Sequence, residues 1–338
     1  MNLVTGGTGF LGAYIVAELL SKGEQVKAVR RSTSSMSQFN YITDLMLAER
    51  AEELRNKVVW VEGDILDYYS IEDALQGCNK CYHAAALVAF EKKHRNKLLT
   101  INTEGTANVV NACLYKQVRL CHVSSVAAIG RKKSGEVIDE TADWVTSRYN
   151  TNYAQSKYAA EMEVWRGIEE GLDAVIINPS LIIGPGDWDN GTPKLFRNVY
   201  NGWKFYTEGV NGMVDVRDVA KASVALMNSG ISNERYIAAG NNVSFKDFFF
   251  KVADALNKPR PTIEVTKTIG EIAWRVFEAI AFITRSEPKV TKENARSAQN
   301  KWFYNNSKIK DAIGINFIPI EDTIAFTAKE LLKQKTTE

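Results

Sequence analysis

The sequence has few cysteines, little net charge and no long uncharged segment, and each of these features excludes a class of protein. Its four cysteines, which lie in or beside apolar segments, are Cys78, Cys81, Cys113 and Cys121. No signal peptide precedes them, so we expect reduced thiols and a cytoplasmic protein. The net charge of +2 indicates no polyelectrolyte partner, so nucleic acid binding is not expected.

A metal site and a membrane span are not expected either. Cys78 and Cys81 form a CxxC pair, but no second pair or nearby histidine cluster completes a tetrahedral site. No uncharged run reaches the roughly 18 residues that a membrane span requires. With 338 residues the chain exceeds the usual size of a single core, so we predict two lobes with a ligand between them.

The N-terminal segment places three glycines between a short apolar strand and a helix. Gly6, Gly9 and Gly12 have the spacing of a dinucleotide-binding turn. The first glycine allows a tight turn, the second lets backbone amides approach a pyrophosphate, and the third lets helix and strand pack closely. The helix predicted from Phe10 to Lys22 directs its positive end toward the phosphates. A plain glycine-rich turn is the alternative.

The end of the second predicted strand indicates which dinucleotide binds. Between Gln25 and Thr43 there is no Asp or Glu to bind the ribose 2′-hydroxyl of NAD. The sequence therefore favours NADP(H), with Arg30 as the main ligand of the 2′-phosphate and Arg31 or Ser32 assisting. A solvated basic turn is the alternative.

Strands and helices alternate along the chain, which predicts a Rossmann-type, doubly wound α/β fold with a parallel sheet. Asp64, after the third strand, is a candidate partner for the adenine amino group. Three alanines after the fourth strand would let the dinucleotide lie close to the backbone. We predict a nucleotide-binding domain of residues 1–180 with 213–240, the latter a strand, a helix and a strand that return to the large sheet. Residues 181–212 with 241–338 form a smaller α+β substrate lobe.

A tyrosine and a lysine one helical turn apart are the candidate catalytic pair. On a helix predicted over about 152–170, Tyr153 and Lys157 share a face, so the ammonium can lower the pKa of the phenol and reach the nicotinamide ribose. The phenol needs such a neighbour, because a tyrosine with an ordinary pKa of about 10 is a poor general acid at neutral pH.

The same tyrosine–lysine spacing occurs twice more in the chain. Gly202 interrupts the pair of Tyr200 and Lys204, and a helix predicted to begin after Tyr304 separates it from Lys308. Neither of these pairs should share a helical face.

Ser125 and Asn102 complete the candidate site. Only Tyr153 follows a strand that ends in serines, and the Ser125 hydroxyl is a candidate to hold a carbonyl oxygen beside it. Polar residues that simply end a strand are the alternative. Asn102 either caps the preceding helix or connects Lys157 to water in a proton relay.

Taken in order, these motifs resemble those of extended short-chain dehydrogenases/reductases. The resembling segments, over about the first two thirds of the chain, are TGGTGFLG, Gly63-Asp64, HAAA from His83, Asn102 with Gly105, Ser124-Ser125, Tyr153/Lys157 and VRDVA from Val216. Segments 153–161 and 178–185 are most similar to the dihydroflavonol-reductase and 3β-hydroxysteroid-dehydrogenase branch. The resemblance implies that Tyr153 donates the proton, Lys157 anchors the ribose, Ser125 orients the carbonyl and Asn102 is the relay.

The candidate cofactor-binding residues are Gly6, Gly9, Phe10, Leu11, Gly12, Arg30, Arg31, Asp64, Ile65, Ala84, Ala85, Ala86, Tyr153, Lys157 and Pro179. Two positions depart from patterns in the superfamily. Nucleotide-sugar dehydratases carry an acidic pair where this chain has Val126 and Ala127, which disfavours dehydration. Asp215 stands where many relatives have a histidine.

We therefore expect an NADPH-dependent reductase that acts on a ketone or aldehyde of a small, partly apolar molecule. A nucleotide-sugar epimerase and a non-enzymatic dinucleotide-binding protein are the alternatives, and the protein is expected to be a monomer or a homodimer. Residues 187–193 are expected to form a lid that shields Trp188 when ligand binds. The apolar face of a helix from about Ile269 to Thr284 should pack against the substrate lobe, with a lid or a membrane-surface contact as alternatives.

Overall fold

The computed structural model describes residues 1–89, 92–133, 135–147, 150–284 and 291–337. Its strands, in chain order, are β1 (Asn2–Thr5), β2 (Val26–Arg30), β3 (Val59–Glu62), β4 (Lys80–His83), β5 (Arg119–Val123), β6 (Val137–Ile138), β7 (Ala174–Pro179), β8 (Leu181–Ile183), β9 (Phe205–Tyr206), β10 (Val210–Asp215), β11 (Glu234–Ala238), β12 (Asn241–Ser244), β13 (Ile263–Glu264) and β14 (Phe303–Tyr304). The α-helices are α1 (Phe10–Ser21), α2 (Ser37–Leu47), α3 (Ala51–Arg55), α4 (Tyr68–Ala74), α5 (Arg95–Leu99), α6 (Gly105–Lys116), α7 (Asn152–Glu169), α8 (Pro193–Tyr200), α9 (Val216–Asn228), α10 (Phe245–Ala255), α11 (Lys267–Thr284), α12 (Lys292–Ser297), α13 (Ser307–Ile313) and α14 (Ile320–Thr337).

Seven strands form the central sheet in the order β3-β2-β1-β4-β5-β7-β11, and neighbouring strands run parallel. The order of the strands reverses between β1 and β4, which is where open α/β sheets bind their ligands. The predicted Rossmann-type fold is therefore confirmed.

Both faces of the central sheet are covered by helices, as a parallel sheet requires. Side chains alternate between the faces: Val4 of β1 packs in the core with Ile15 of α1 and Val219 of α9. Leu3, one residue earlier, packs in the opposite core with Val164 of α7. Helices on both faces leave the carboxyl ends of the strands as the edge where a site can form.

The turn between β1 and α1 depends on two glycines that have no room for a side chain. We call residues 6–12 the glycine turn. Gly6 has φ +71°, and a Cβ there would lie 2.7 Å from Ala85 N. A Cβ on Gly12 would lie 2.0 Å from Gly6 O. The tight turn and the close packing that the glycine spacing predicts are both present.

A second, three-stranded sheet has the order β12-β10-β8 and lies among α8, α10 and α14. Its core includes Phe196 of α8 and Phe248 of α10, whose rings meet edge to face at 5.8 Å. The strand predicted near Met213 to return to the large sheet is β10, which pairs with β8 and β12 instead. That expectation is wrong for β10, whereas β11 does join the large sheet.

The loop 187–193 buries the side chain of Trp188 and exposes others. Trp188 is 9% exposed and packs in the core of the second sheet. Asp187 accepts a hydrogen bond from Asp189 N at 2.9 Å, which fixes the turn beside it. Trp188 is thus buried by packing against the second sheet. A change in its exposure on ligand binding stays a prediction.

Helix α11 directs its polar side, not its apolar face, toward a neighbouring helix. It packs against α12, where Arg296 Nε donates to Glu271 Oε1 at 2.6 Å. Its exposed apolar residues include Ile269, Ile272, Val276 and Ile280. Packing of the predicted apolar face against the lobe is therefore wrong for Ile272, Val276 and Ile280. The side chain of Ile283, also predicted on this face, lies outside the described part.

Among the residues that the structure describes, no helix combines the length and the apolar character needed to cross a membrane. The same residues include no group of three or more His, Cys, Asp or Glu side chains placed to hold a metal ion. The four cysteines are free thiols, of which Cys81, Cys113 and Cys121 are buried.

Replacing Gly12 with alanine should destabilise the protein, because the added Cβ would meet a backbone oxygen that cannot move aside. We expect Gly12→Ala to lower the free energy of unfolding by about 2 kcal/mol or more, as overpacking does. Gly230→Ala is the matched control, since a Cβ there meets no atom within 4 Å. Urea denaturation of both variants measures the difference, and equal small changes would contradict the packing described for Gly12.

Candidate functional site

The candidate residues gather at the carboxyl edge of the central sheet. The glycine turn follows β1, Arg30 ends β2, Ala84 follows β4, Ser124 follows β5 and Pro179 ends β7. Because these strands are neighbours in the sheet, segments far apart in sequence meet at one edge. This edge includes the point between β1 and β4 where the strand order reverses. Open α/β sheets bind their ligands at such a point.

The glycine turn has the shape that a dinucleotide pyrophosphate requires. Gly9 is exposed, begins α1 without a side-chain cap, and donates its N–H to Gly6 O at 2.9 Å. Phe10 lies under the glycine-rich segment after β8, since a Cβ on Gly186 would lie 2.8 Å from its ring. Leu11 is buried in the core. Because Gly9 has no Cβ, the start of α1 is open to a ligand, and backbone amides can bind an anionic group there.

Arg30 and Arg31 are exposed beside this turn. The guanidinium of Arg30 lies 5.9 Å from the ring centroid of Trp60 on β3. A Cβ on Gly7 would lie 3.6 Å from the same indole, so the indole contacts both segments. Sequence reasoning missed Trp60; its place on the strand next to β2 was the only available signal.

The other candidate cofactor-binding residues differ in their hydrogen-bond partners and in their burial. Asp64 Oδ1 accepts the Leu66 N–H at 3.0 Å. Ile65 is buried, and its carbonyl accepts Asn108 Nδ2 at 2.9 Å. The remaining members lie at strand ends: Ala84 and Ala85 are partly buried, Ala86 is exposed, and Pro179 is buried.

Helix α7 carries the tyrosine–lysine pair against the end of β5. It begins where Thr151 Oγ1 accepts the Ala154 N–H at 3.0 Å. Lys157 is 2% exposed and donates from Nζ to the Val123 carbonyl at 2.9 Å. Tyr153 lies one turn earlier and makes a side-chain hydrogen bond with Ser125. The structure therefore brings the predicted serine, tyrosine and lysine together.

The pKa of Tyr153 differs from the expectation. Burial of the phenol raises its pKa above the ordinary value, although the hydrogen bond with Ser125 opposes this increase. The expected lowering by Lys157 is therefore wrong, because burial dominates the pKa of the phenol and the Lys157 ammonium donates to the Val123 carbonyl. At neutral pH Tyr153 carries its proton.

Lys157 loses part of its affinity for a proton because it is buried. Desolvation lowers its pKa to about 8, while the charge of Glu161 opposes that shift. Two buried histidines, His83 of β4 and His122 of β5, lie 5.3 Å apart between ring centroids. Burial and the nearby ammonium lower the pKa of His83 to about 3 and that of His122 well below its usual value. Both imidazole rings are therefore neutral at neutral pH, and Lys157 is the positively charged group of the three.

Asn102 does not cap a helix. It lies in a π-helical turn, Thr100–Glu104, that joins α5 to α6, so the chain is helical on both sides of it. Its side chain accepts the Leu87 N–H at 2.7 Å and donates to the Leu87 carbonyl at 3.0 Å and to Ser156 Oγ at 3.0 Å. The capping alternative is therefore wrong, and the relay role stays a prediction.

Asp215, which stands in the place of a histidine, has a structural partner for each oxygen. Its Oδ1 accepts the Arg217 N–H at 2.8 Å, and its Oδ2 accepts Thr323 Oγ1 at 2.8 Å. Arg217 also forms a buried ion pair with it at 2.7 Å. The carboxylate thus ties the start of α9 to α14.

The other two tyrosine–lysine pairs do not form a helical face. Tyr200 is the last residue of α8, and Lys204 lies beyond a turn. Tyr304 lies on β14, and α13 begins after it with Asn305 Oδ1 accepting the Ser307 N–H. The predicted contrast with Tyr153 is confirmed.

The fold and the order of these residues agree with a comparison against protein families. The model of the NAD-dependent epimerase/dehydratase family matches residues 2–239. The chain belongs to this family. It is an NAD(P)-dependent oxidoreductase of the extended short-chain dehydrogenase/reductase type.

Individual relatives of this family member cover nearly its whole length. A Synechocystis sp. protein, named provisionally as dihydroflavonol 4-reductase, is 32% identical over 95% of this chain and 92% of its own. Sterol demethylase protein B of Methylococcus capsulatus is 31% identical over 96% and 95%. Cinnamoyl-CoA reductase 1 of Petunia hybrida is 26% identical over 97% and 91%.

Solved structures show the same fold. The crystal structure of gox2253 is 29% identical and covers 99% of this chain and 98% of that one, with a TM-score of 0.81. UDP-glucose 4-epimerase of Thermotoga maritima, solved with UDP-glucose, is 20% identical with a TM-score of 0.77 and covers 100% of both chains. At that identity the second likeness concerns the fold alone.

Removing the Asn102 side chain should loosen the segment that follows the alanines. We expect Asn102→Ala to lower the free energy of unfolding by about 2 kcal/mol or more, because the buried Ser156 hydroxyl and two partly buried backbone groups of Leu87 each lose a partner. The control is Asn111→Ala on α6, whose side chain only accepts a bond from Arg166 at the surface. Thermal or urea unfolding of both variants measures the difference in stability. Equal small losses in Asn102→Ala and Asn111→Ala would contradict the role described for Asn102.

Proposed function

We propose that the protein is an NADPH-dependent reductase that transfers hydride to the carbonyl carbon of a ketone or aldehyde on a small, partly apolar molecule. Ser125, Tyr153 and Lys157 are the reacting site, with Asn102 as the relay. The observation that carries this proposal is the hydrogen bond that joins Tyr153 to Ser125, two residues after the carbonyl that accepts the buried ammonium of Lys157.

The hydroxyl of Ser125 is oriented for a carbonyl oxygen. Its Oγ accepts the Ala127 N–H at 3.1 Å in the short turn after β5. A serine hydroxyl has one proton to donate, and a lone pair held by a backbone amide directs that proton elsewhere. The proton is thus available to Tyr153 or to a substrate oxygen that replaces it.

The protonation states of the site suit reduction. A nicotinamide dinucleotide supplies the hydride when it is bound. Tyr153, whose pKa is raised by burial, carries at neutral pH the proton that the developing alkoxide needs. Lys157, with a pKa of about 8, stays mostly charged and stabilises negative charge near the phenol.

The names of the relatives support carbonyl reduction. Relatives matched over more than nine tenths of this chain are named as dihydroflavonol 4-reductase and cinnamoyl-CoA reductase. Both names denote reduction of a carbonyl group. Val126 and Ala127, in place of an acidic pair, argue against dehydration.

A nucleotide-sugar epimerase is the second candidate, and the match of residues 2–239 to the NAD-dependent epimerase/dehydratase family favours it. A screen of NADPH oxidation against carbonyl compounds, with UDP- and GDP-sugars assayed in parallel, separates the two. We expect consumption of NADPH with an aldehyde or ketone. Conversion of a nucleotide sugar without net consumption of added NADPH would establish the epimerase instead.

We extend the proposal to the setting and the organisation of the protein. The free thiols suit a reducing compartment, which supports a cytoplasmic location. The substrate would lie between the nucleotide-binding residues, 1–180 with the α9 and β11 part of 213–240, and the remainder of the chain. A monomer or a homodimer agrees with this arrangement.

The three tyrosine–lysine pairs allow an internally controlled test of catalysis. Tyr153→Phe removes the proton donor but keeps the ring, so turnover should fall by about 100- to 10,000-fold with cofactor affinity nearly unchanged. Lys157→Met should lower both turnover and cofactor affinity. Tyr200→Phe and Tyr304→Phe are the matched controls and should retain near wild-type turnover. Comparable losses at Tyr153 and Tyr304 would refute the assignment of the site.

Cofactor preference tests the role of Arg30. Loss of a charge-assisted contact with the 2′-phosphate should make Arg30→Ala bind NADPH about 10- to 100-fold more weakly, with little change for NADH. Arg260→Ala, which removes an exposed arginine paired with Asp254, controls for loss of surface charge. Fluorescence titration with both cofactors is the measurement. A wild-type preference for NADH, or equal losses for both cofactors, would contradict the assignment.

A further inference from the structure

Three consecutive residues at the end of β5 are each held by a different side chain. The Val123 carbonyl accepts Lys157 Nζ, and Ser124 Oγ donates to Glu161 Oε2 at 2.6 Å. The Ser125 carbonyl accepts Asn178 Nδ2 at 3.0 Å, and the same amide nitrogen donates to Glu161 Oε2 at 2.7 Å. Two of the three contacts therefore depend on the carboxylate of Glu161.

Glu161 is a fully buried carboxylate with a partner on each oxygen. It follows Lys157 by one turn of α7 and is 0% exposed. Its Oε1 accepts Arg235 of β11 at 3.0 Å and Trp165 Nε1 at 3.3 Å. Removing a charge from water is costly, so a carboxylate held this completely indicates a specific role.

We propose that Glu161 is a positioning residue of the site: its carboxylate fastens the serine end of β5 to α7 and is the counter-charge of Lys157, one turn earlier on the same helix. The proposal rests on the proposed function, in which Ser125, Tyr153 and Lys157 are the reacting groups. Glu161 itself touches neither substrate nor cofactor and acts through its neighbours.

The charged groups around Lys157 define the effect of removing Glu161. Glu161, on the same helix, is the negative charge that raises the pKa of Lys157. His83 of β4 and His122 of β5 face the ammonium as neutral rings. Arg235 of β11 is the positive partner of Glu161 on its other side. Loss of the carboxylate leaves Lys157 with Arg235 and without its counter-charge, so the ammonium should release its proton at lower pH.

The test measures the titration of Lys157 directly, apart from any activity. Protein labelled with ¹³Cε-lysine gives one resonance per lysine, and the signal absent from Lys157→Met identifies the residue. The variants are Glu161→Gln, which removes the charge with little change of shape, and Arg235→Gln, which removes the opposing charge. Glu163→Gln is the control, because Glu163 lies on the same helix and pairs with Arg166 at the surface.

We expect the midpoint of Lys157, at about pH 8 in the wild type, to fall in Glu161→Gln. A fall of about one pH unit corresponds to a tenfold change in the ratio of charged to neutral lysine. In Arg235→Gln the midpoint should rise, and in Glu163→Gln it should not move. As the pH is raised above neutral, Glu161→Gln should lose turnover at a lower pH than the wild type does. Glu161→Asp, which keeps the negative charge, should restore part of the lost turnover.

An unchanged Lys157 midpoint in folded Glu161→Gln would overturn the proposal. If that variant does not fold, an unchanged or lowered midpoint in Arg235→Gln overturns it equally. Failure of the proposed function appears in a different measurement, since Tyr153→Phe would then retain turnover whatever the titration of Lys157 shows.

Discussion

The contact among three backbone segments at Gly6, Gly12 and Ala85 is the constraint on which the rest of the structure depends. It brings the start of α1 onto the end of β1 and against the segment after β4, with no side chain between them. The reversal of strand order lies at the same place, between β1 and β4. Because Gly9 is exposed and carries no side chain, backbone amides are the groups that meet a ligand at the helix start.

Helix α7 provides the second part of the arrangement. Residues at positions i, i+4 and i+8 lie on nearly the same side of a helix, so Tyr153, Lys157 and Glu161 form one polar row against the end of β5. Each of the three contacts a different residue from 123 to 125. The row therefore sets the distance between helix and strand as well as the chemistry of the site.

Much of this could be predicted from local sequence. The strands and helices of the central sheet, the glycine turn and the isolation of Tyr153 from the other two tyrosine–lysine pairs each depend on residues close together in the chain. What could not be predicted depends on distant partners. Glu161 reads as an ordinary helical glutamate until Asn178 and Arg235, which lie 17 and 74 residues away, are placed against it.

The remaining differences have the same origin. The strand β10 pairs with β8 and β12 instead of joining the large sheet, and this choice depends on neighbours that the sequence pattern does not identify. Ile272, Val276 and Ile280 of α11 stay exposed, whereas Glu271 of the same helix pairs with Arg296 of α12. Side-chain periodicity identifies an apolar face but not the surface that it meets.

The charged groups next to the reacting site alternate in sign. Lys157 is positive, Glu161 is negative and Arg235 is positive, whereas His83 and His122 are neutral because burial beside an ammonium disfavours a second positive charge. The alternation lets a buried lysine stay charged without a carboxylate next to the phenol, where a negative charge would oppose the alkoxide that forms during reduction. The carboxylate needed to compensate Lys157 is therefore placed one turn away, where Arg235 pairs with its Oε1 at 3.0 Å.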